Sequence, residues 1–192
     1  MFGKLRAGHW LAILAVLGII WWFSGRVSPS AQKRTFLEEI MRVDTALVKR
    51  FTIVPSARRG YPELRFERTA EGWWLHMGKD SALVDEAPVN AILASAQVMK
   101  PVRMAGALSL VKDRYDLGDS TRDRLVIDAG AQRYELFVGR STTGDEPFTV
   151  VNPPGDENAY AIAGTLGELT DRTFGGWLPK YLVKGDPMRW NR

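Results

Sequence analysis

The 192-residue chain contains no cysteine, which excludes disulfide bonds, thiolate metal sites and cysteine nucleophiles. It has only two histidines, His9 and His76, and an apolar run separates them in the sequence. A two-histidine metal site is therefore not expected. His76 is interpreted as a structural side chain. His9, next to Trp10, is either an interfacial side chain or a ligand to a pigment or haem of a partner, and no cofactor of the chain itself is predicted.

Motifs for nucleotide binding and hydrolysis are incomplete. Residues 139–144 have Gly-x4-Gly spacing but lack the following Lys and Ser/Thr that reach phosphates and Mg²⁺. No serine is paired with a histidine and an acid in an order that suits nucleophilic catalysis. The acidic turns after Gly144 and Gly155 lack the ligand density of a Ca²⁺ site. We predict that the chain is not an enzyme and that it has no catalytic, cofactor-binding or metal-binding residues and no small-molecule substrate.

Positive charge is in excess at both ends of the chain, whereas acidic residues outnumber basic ones in the middle. The net charge is +4, but residues 51–171 hold 13 Lys/Arg against 18 Asp/Glu. Residues 1–50 hold 8 against 3, and residues 172–192 hold 5 against 1. Basic ends are typical of contact with a membrane surface, whereas nucleic-acid binding calls for a basic groove. Nucleic acid is not an expected partner.

One long apolar run, residues 10–23, has aromatic residues at both ends and basic residues beyond them. This pattern is typical of a segment in a bilayer. The charge-free span of 19 residues, 7–25, would reach roughly 28 Å as a helix. A retained transmembrane anchor over residues 1–27 is favoured over two alternatives, a cleaved signal peptide and a buried core helix. Small residues along one stripe and aromatic residues at the ends predict a packed anchor helix: Trp10, Ala12, Ala15, Gly18, Trp21 and Trp22.

Residues 28–43 are predicted to be a linker and an amphipathic helix. Apolar residues recur at spacings of 4, 3, 4 and 4 from Phe36 to Phe51, which favours a helix that gives way to a strand before Pro55. The alternative is a turn capped by Asp44, with residues 47–54 forming the strand.

Residues 44–171 show the pattern of an antiparallel domain. Alternating residues 64–68 and 73–77 flank a turn, and residues 124–128 and 132–138 repeat this arrangement. Residues 148–151 and 159–162 form a third pair. Helices are predicted from Asp85 to Met99, over residues 108–112 and over residues 164–170. The predicted fold class is α+β: an N-terminal single transmembrane helix followed by a mostly antiparallel strand–strand–helix repeat domain.

The last segment, residues 172–192, mixes large apolar side chains with five Lys/Arg. A free tail of this composition would expose much apolar surface. It is therefore expected to dock on its own domain, the membrane interface or a partner. The residues assigned to partner or membrane docking are Trp177, Lys180, Tyr181, Lys184 and Trp190.

Several short motifs occur in the order found in the bacterial domain of unknown function DUF4340. They are residues 43–53, the hairpin 64–75 with its Gly-Trp, the helix 85–99, the turn 113–119, and the strands 134–139 and 160–162. From about residue 44 to 183 the chain resembles this family, although its Tyr115-Asp-Leu-Gly118 departs from the family's Tyr-Gly-Leu. The resemblance implies a membrane-anchored, mostly extracytoplasmic protein of the kind found beside gliding-type ABC transporters. It carries no catalytic residue.

The predicted location is the bacterial inner membrane, with a single pass and the folded domain in the periplasm. The excess of Lys/Arg after the anchor favours the cytoplasmic side instead, so that side stays open. The predicted function is a non-enzymatic accessory or scaffold subunit of a larger integral-membrane complex for transport, respiration or photosynthesis. Its expected partners are integral-membrane subunits and the lipid bilayer. The alternative is a substrate- or envelope-binding component of an ABC-type export or gliding system.

Overall fold

One continuous sheet of nine strands organises residues 37–180, the part of the chain that the computed structural model describes. Its strands are β1 (Val48–Val54), β2 (Leu64–Thr69), β3 (Gly72–Met77), β4 (Asp80–Leu83), β5 (Pro101–Ala107), β6 (Asp123–Ala129), β7 (Gln132–Ser141), β8 (Phe148–Asn152) and β9 (Asn158–Ala163). Their order across the sheet is β4-β3-β2-β1-β6-β7-β8-β9-β5. All neighbouring pairs are antiparallel.

The sheet consists of two four-stranded meanders that join where β1 pairs with β6. Phe51 of β1 lies opposite Phe66 of β2 on one side and Ile127 of β6 on the other. Strand β5 belongs to neither meander in sequence. It follows the first meander and its helix, crosses over, and pairs with β9 at the far end of the sheet. The crossover makes β5 one of the two outermost strands.

Within residues 37–180, three helices accompany the sheet: α1 (Glu86–Gln97), α2 (Leu108–Val111) and α3 (Leu166–Thr170). The carboxylate of Asp85 accepts a hydrogen bond from the Ala87 amide at 3.0 Å, which caps the first turn of α1. The predicted helix from Asp85 to Met99 is confirmed over Glu86–Gln97, and its apolar residues Val89, Ile92, Leu93 and Ala96 are all buried. Short 3₁₀ turns cover Thr45–Leu47, Ala57–Arg59 and Phe174–Trp177.

Aromatic rings form the centre of the first meander's core. The ring of Phe51 stacks on that of Phe66 with centroids 4.3 Å apart, and Trp73 meets Phe51 edge-on at 5.4 Å. Trp177 reaches Phe66 from the C-terminal side at 4.7 Å. These geometries are favourable for aromatic pairs. In the second meander, consecutive residues of β8 and β9 are buried, so both faces of these strands are covered.

The predicted amphipathic helix before β1 is wrong for its described part, because residues 37–44 contain no helix. The segment instead runs beside the end of α1, where the Ile40 amide donates to the Met99 carbonyl and the Met99 amide donates to the Met41 carbonyl. The alternative prediction is confirmed. The Asp44 carboxylate accepts a hydrogen bond from the Ala46 amide, and β1 follows the capped turn.

The predicted fold class is also wrong. A single, mostly antiparallel sheet with few helices replaces the predicted strand–strand–helix repeat, and β4 and β5 were not predicted. Between residues 37 and 180, no helix is both long and apolar enough to cross a bilayer. This finding contradicts the predicted transmembrane fold class and the predicted single-pass location in the inner membrane. The proposed anchor, residues 1–27, lies outside the described residues.

Gly139 lies where β7 meets the loop before β6, and a larger residue does not fit there. A Cβ atom at this position would lie 2.2 Å from the Tyr115 carbonyl oxygen and 3.0 Å from the Leu117 side chain. We expect Gly139→Ala to lower the free energy of unfolding by about 1–3 kcal/mol, because the backbone must shift. Urea unfolding measures this change. Gly175→Ala is the control, since no atom lies within 4 Å of its Cβ position, and equal losses in the two variants would contradict the assignment.

Candidate functional site

A polar cleft of about 420 Å³ lies where the loop after β1, the start of β6, the end of β7 and α3 come together. Charged side chains dominate its lining: Arg58, Arg59, Asp116, Asp123, Arg140, Glu168 and Asp171. Ser56, Thr121 and Ser141 add hydroxyl groups. Such a concentration of ionisable groups makes the polar cleft the first candidate for a functional site.

Asp123 is the buried centre of the polar cleft. Its Oδ1 accepts a hydrogen bond from the Ser56 amide at 2.9 Å, and its Oδ2 lies 3.1 Å from Nη2 of Arg59. The same Nη2 lies 2.6 Å from Oδ1 of Asp171, a mostly exposed residue that follows α3. Arg59 also donates to the Thr170 carbonyl at 3.3 Å. One guanidinium therefore joins the 3₁₀ turn after β1 to β6 and to the end of α3.

Burial and ion pairing act in opposite directions on these groups. Burial raises the pKa of Asp123 above its usual value, and the nearby Arg59 charge only partly offsets this effect. For Arg59, burial lowers the pKa, but the hydrogen bond to Tyr61 and the charges of Asp123 and Asp171 outweigh it, so the net shift is upward. Arg59 is thus a permanent cation beside a carboxyl group whose pKa lies above its usual value.

Arg140, another of the three arginines that line the polar cleft, also has a partner within the chain. Its Nε and Nη2 each lie 2.9 Å from Oδ2 of Asp116. Asp116 has a φ of 54°, the only positive φ at a non-glycine residue between residues 37 and 180. The Arg140 amide donates to the Tyr115 carbonyl at 2.8 Å, which fixes this turn against β7. Internal pairing gives Arg59 and Arg140 a structural role.

No histidine is among the described residues that line the polar cleft. His76 lies elsewhere, on β3, with its Nδ1 2.7 Å from Oγ of Ser81 on the neighbouring strand β4. Among residues 37–180, no three or more His, Asp or Glu side chains are placed to hold a metal ion. The polar cleft thus holds two sets of ion pairs within the chain, Arg59 with Asp123 and Asp171, and Arg140 with Asp116.

The open edge of β5 is the second candidate. Among residues 37–180, strand β5 ends the sheet and pairs with β9 only, so the backbone groups on its other side have no strand partner within this range. Six large apolar side chains are exposed among the described residues, and five of them lie on β5 or next to it: Leu37, Val98, Val102, Met104 and Leu110. Val102 and Leu110 are 65% and 83% exposed. These five residues and β5 are called the β5 edge below.

The five apolar residues come from three segments that meet at β5. Met104 pairs with Tyr160 of β9, whose hydroxyl is contacted by the backbone of Leu37. Leu110 is on α2, which lies against β5, since a Cβ at Gly106 would be 3.0 Å from Val111. Leu110 therefore lies near β5, and Leu37 lies near Tyr160 of the neighbouring strand.

The opposite edge of the sheet is built differently. Strand β4 has four residues and begins with Asp80 and Ser81, both exposed. Short, charged edge strands are a common protection against unwanted pairing. Strand β5 has seven residues, and its exposed positions include Val102 and Met104. Of the two sheet edges within residues 37–180, only the β5 edge combines backbone groups that lack a strand partner with large exposed apolar side chains.

Of the residues predicted for docking, the structure describes Trp177 and Lys180. Trp177 is completely buried in its own domain, where its carbonyl accepts a hydrogen bond from the Asp85 amide at 3.0 Å. Its side chain is thus not free to contact a partner or a membrane, which corrects the predicted role. Lys180 is exposed beside the acidic residues Glu71, Asp85 and Glu86. The other predicted docking and anchor residues lie in segments that the structure does not describe: Trp10, Ala12, Ala15, Gly18, Trp21, Trp22, Tyr181, Lys184 and Trp190.

Sequence reasoning missed the β5 edge. Pro101, Gly106 and two alanines make this segment a poor strand by composition, and exposure of Val102 and Met104 follows only from the topology. One signal was present in the sequence, because residues 98–112 contain Lys100, Arg103 and Lys112 but no Asp or Glu.

Comparisons with protein-family models, with curated proteins and with solved structures give no match to this chain. The resemblance to DUF4340 stays a prediction, as do the expected partners.

Proposed function

We propose that this chain is a non-enzymatic accessory or scaffold protein whose sheet domain holds a partner protein by accepting one of its strands along β5. The observation that carries the proposal is the concentration of exposed apolar side chains on or next to β5, an edge strand that is paired on one side only among residues 37–180. Catalysis has no comparable support, since the main ion pairs of the polar cleft are satisfied within the chain.

Addition of a partner strand would use both the backbone groups and the exposed apolar side chains of the β5 edge. An added strand would pair with those N–H and C=O groups of β5 that have no strand partner in the described part of the chain, which supplies affinity. Its alternate side chains would point to the two faces of the sheet. Met104 shares a face with Tyr160, and Leu110 projects from the helix packed against the strand. Contact with both would remove apolar surface from water.

Irregular pairing gives the β5 edge a specific shape. The register between β5 and β9 shifts between Pro101 and Arg103 and again between Met104 and Gly106. Bulges of this kind interrupt regular pairing and discourage indiscriminate edge-to-edge association. A partner must match a short and particular stretch of strand, as expected of a recognition site.

Selection from a random peptide library displayed on phage, with the full chain immobilised, tests this function. We expect the enriched peptides to bind about tenfold more weakly when Val102→Asn and Met104→Asn are combined, because the change removes two exposed apolar anchors. Leu47→Asn is the matched control, since Leu47 is 53% exposed but lies on the turn before β1. If no peptide is enriched, or if all three proteins bind the enriched peptides equally, the proposed function is wrong.

A further inference from the structure

We infer that Met104 is a modification site at which a peroxide regulates the β5 edge: oxidation of its thioether to the sulfoxide weakens the binding of a partner strand. This inference rests on the proposed function and adds the regulation of the same site. It is carried by the position and exposure of Met104 and by the lack of thiols in the chain.

Met104 is the most accessible of the methionines that the structure describes. The chain has six methionines, and four of them, Met41, Met77, Met99 and Met104, lie within residues 37–180. Met41 and Met99 are buried, Met77 is half-buried on β3, and Met104 is 41% exposed. Because a peroxide must reach the sulfur to oxidise it, accessibility selects Met104 among these four.

The composition of the chain directs a peroxide to methionine. Cysteine thiolates react readily with peroxides, but the chain has no cysteine. In the reaction with methionine, the thioether sulfur donates an electron pair to one oxygen of hydrogen peroxide, and the O–O bond breaks as the S–O bond forms. The sulfur is thereby oxidised to the sulfoxide, and the peroxide is reduced to water.

Met104 occupies the centre of the proposed strand-accepting edge. It is the fourth of the seven residues of β5 and pairs with Tyr160 of β9. Residues directly opposite each other on antiparallel strands have Cβ atoms about 5 Å apart on the same face of the sheet. An added strand that pairs across Met104 would therefore place a side chain against the thioether. The sulfoxide is polar and would have to lose water to make the same contact.

Oxidation would remove one contribution to binding and leave the others. The backbone groups of β5 and the exposed Val102 side chain carry no sulfur, so the peroxide does not change them. The affinity for a partner strand should therefore fall without being lost. We expect a decrease of about fivefold, since one partly exposed apolar contact is replaced by a polar one.

Controlled oxidation of the full chain by hydrogen peroxide tests the inference. Peptide mapping by mass spectrometry should find the sulfoxide at Met104 before it appears at Met41, Met77 or Met99. Once catalase has removed the peroxide, fluorescence anisotropy should show about fivefold weaker binding of a library-enriched peptide that lacks methionine. The two methionine sulfoxide reductases, supplied with a dithiol, should restore the affinity. Earlier oxidation of Met77, or a loss that reduction does not reverse, overturns the inference.

Substitutions assign the effect to one sulfur, with each protein compared with itself before and after peroxide. Met77→Leu is the matched control, because Met77 pairs with Asp80 of β4 at the opposite edge of the sheet. This variant should lose as much affinity as the wild type, whereas Met104→Leu should lose none on treatment. Untreated Met104→Gln should bind as weakly as the oxidised wild type, since its side chain is polar and of similar length. Equal sensitivity of the two Leu variants to peroxide would defeat the inference.

These outcomes separate the inference from the function on which it rests. Library peptides that depend on Val102 and Met104 but bind the oxidised and untreated chain equally support the function and defeat the inference. If no peptide is enriched, the proposed function fails and the inference fails with it.

Discussion

Trp177→Ala is expected to lower the free energy of unfolding by about 3–5 kcal/mol, the range found when a large aromatic residue is truncated in a core. Trp177 is completely buried and meets the Phe66 ring edge-on. Its backbone also accepts the Asp85 amide at the start of α1. The truncation would leave a cavity between the C-terminal turn and the first meander, and urea unfolding of the full chain measures the loss.

Trp177→Phe keeps an aromatic ring at this position but removes the indole N–H group. The indole Nε1 is buried and has no hydrogen-bond partner among the described residues, so its removal leaves no acceptor unpaired. We therefore expect the Phe variant to be clearly more stable than the Ala variant. A loss below about 1 kcal/mol for Trp177→Ala would show that the turn is not part of the core.

Arg59→Met is expected to cost about 3–5 kcal/mol at neutral pH, because it leaves the Asp123 carboxylate buried without its cation. The ion pairs of Arg59 with Asp123 and Asp171, at 3.1 and 2.6 Å, would both be lost. Asp123→Asn added to Arg59→Met should recover part of the stability, since an amide is cheaper to bury than a charge. Denaturant unfolding of the two single variants and the double variant gives the coupling free energy.

The cost of Arg59→Met should depend on pH in a definite direction. Burial raises the pKa of Asp123 in the folded protein, and removal of the Arg59 charge raises it further. An acid with a raised folded pKa contributes stability at low pH that is lost as the pH rises through that pKa. The difference in the free energy of unfolding between wild type and Arg59→Met should therefore be smallest below about pH 4 and grow toward neutrality. A difference that does not change with pH would show that Asp123 is not the group left uncompensated.

The sequence allowed the local parts of the fold to be predicted. The hairpins β2–β3 and β6–β7 are confirmed because each alternates apolar and polar residues around a short turn. Helix α1 is confirmed because its cap, its first-turn proline and its apolar face agree. In these segments, neighbours in sequence supply the stabilising contacts.

The parts of the fold that could not be predicted depend on contacts between residues that are far apart in the sequence. The spacing from Phe36 to Phe51 fits a helix, yet Met41 and Val43 are buried beside the end of α1, and the strand begins at Val48. Strand β5 exists because β9 pairs with it, from a position more than 50 residues later in the sequence. The polar cleft is equally non-local, because Arg59 and Asp123 come from different meanders. Nothing in the sequence around Arg59 or Asp123 indicates that these two side chains form an ion pair.

Amide hydrogen exchange of the full chain, with and without a saturating concentration of a peptide enriched from the phage library, tests the central claim most directly. If a partner strand pairs with the β5 edge, the peptide should slow exchange in Pro101–Ala107 through new backbone hydrogen bonds, and leave the polar cleft nearly unchanged. Bound peptide that leaves exchange in β5 unaltered, or that protects Ala57–Arg59 and Leu166–Thr170 instead, would contradict the claim.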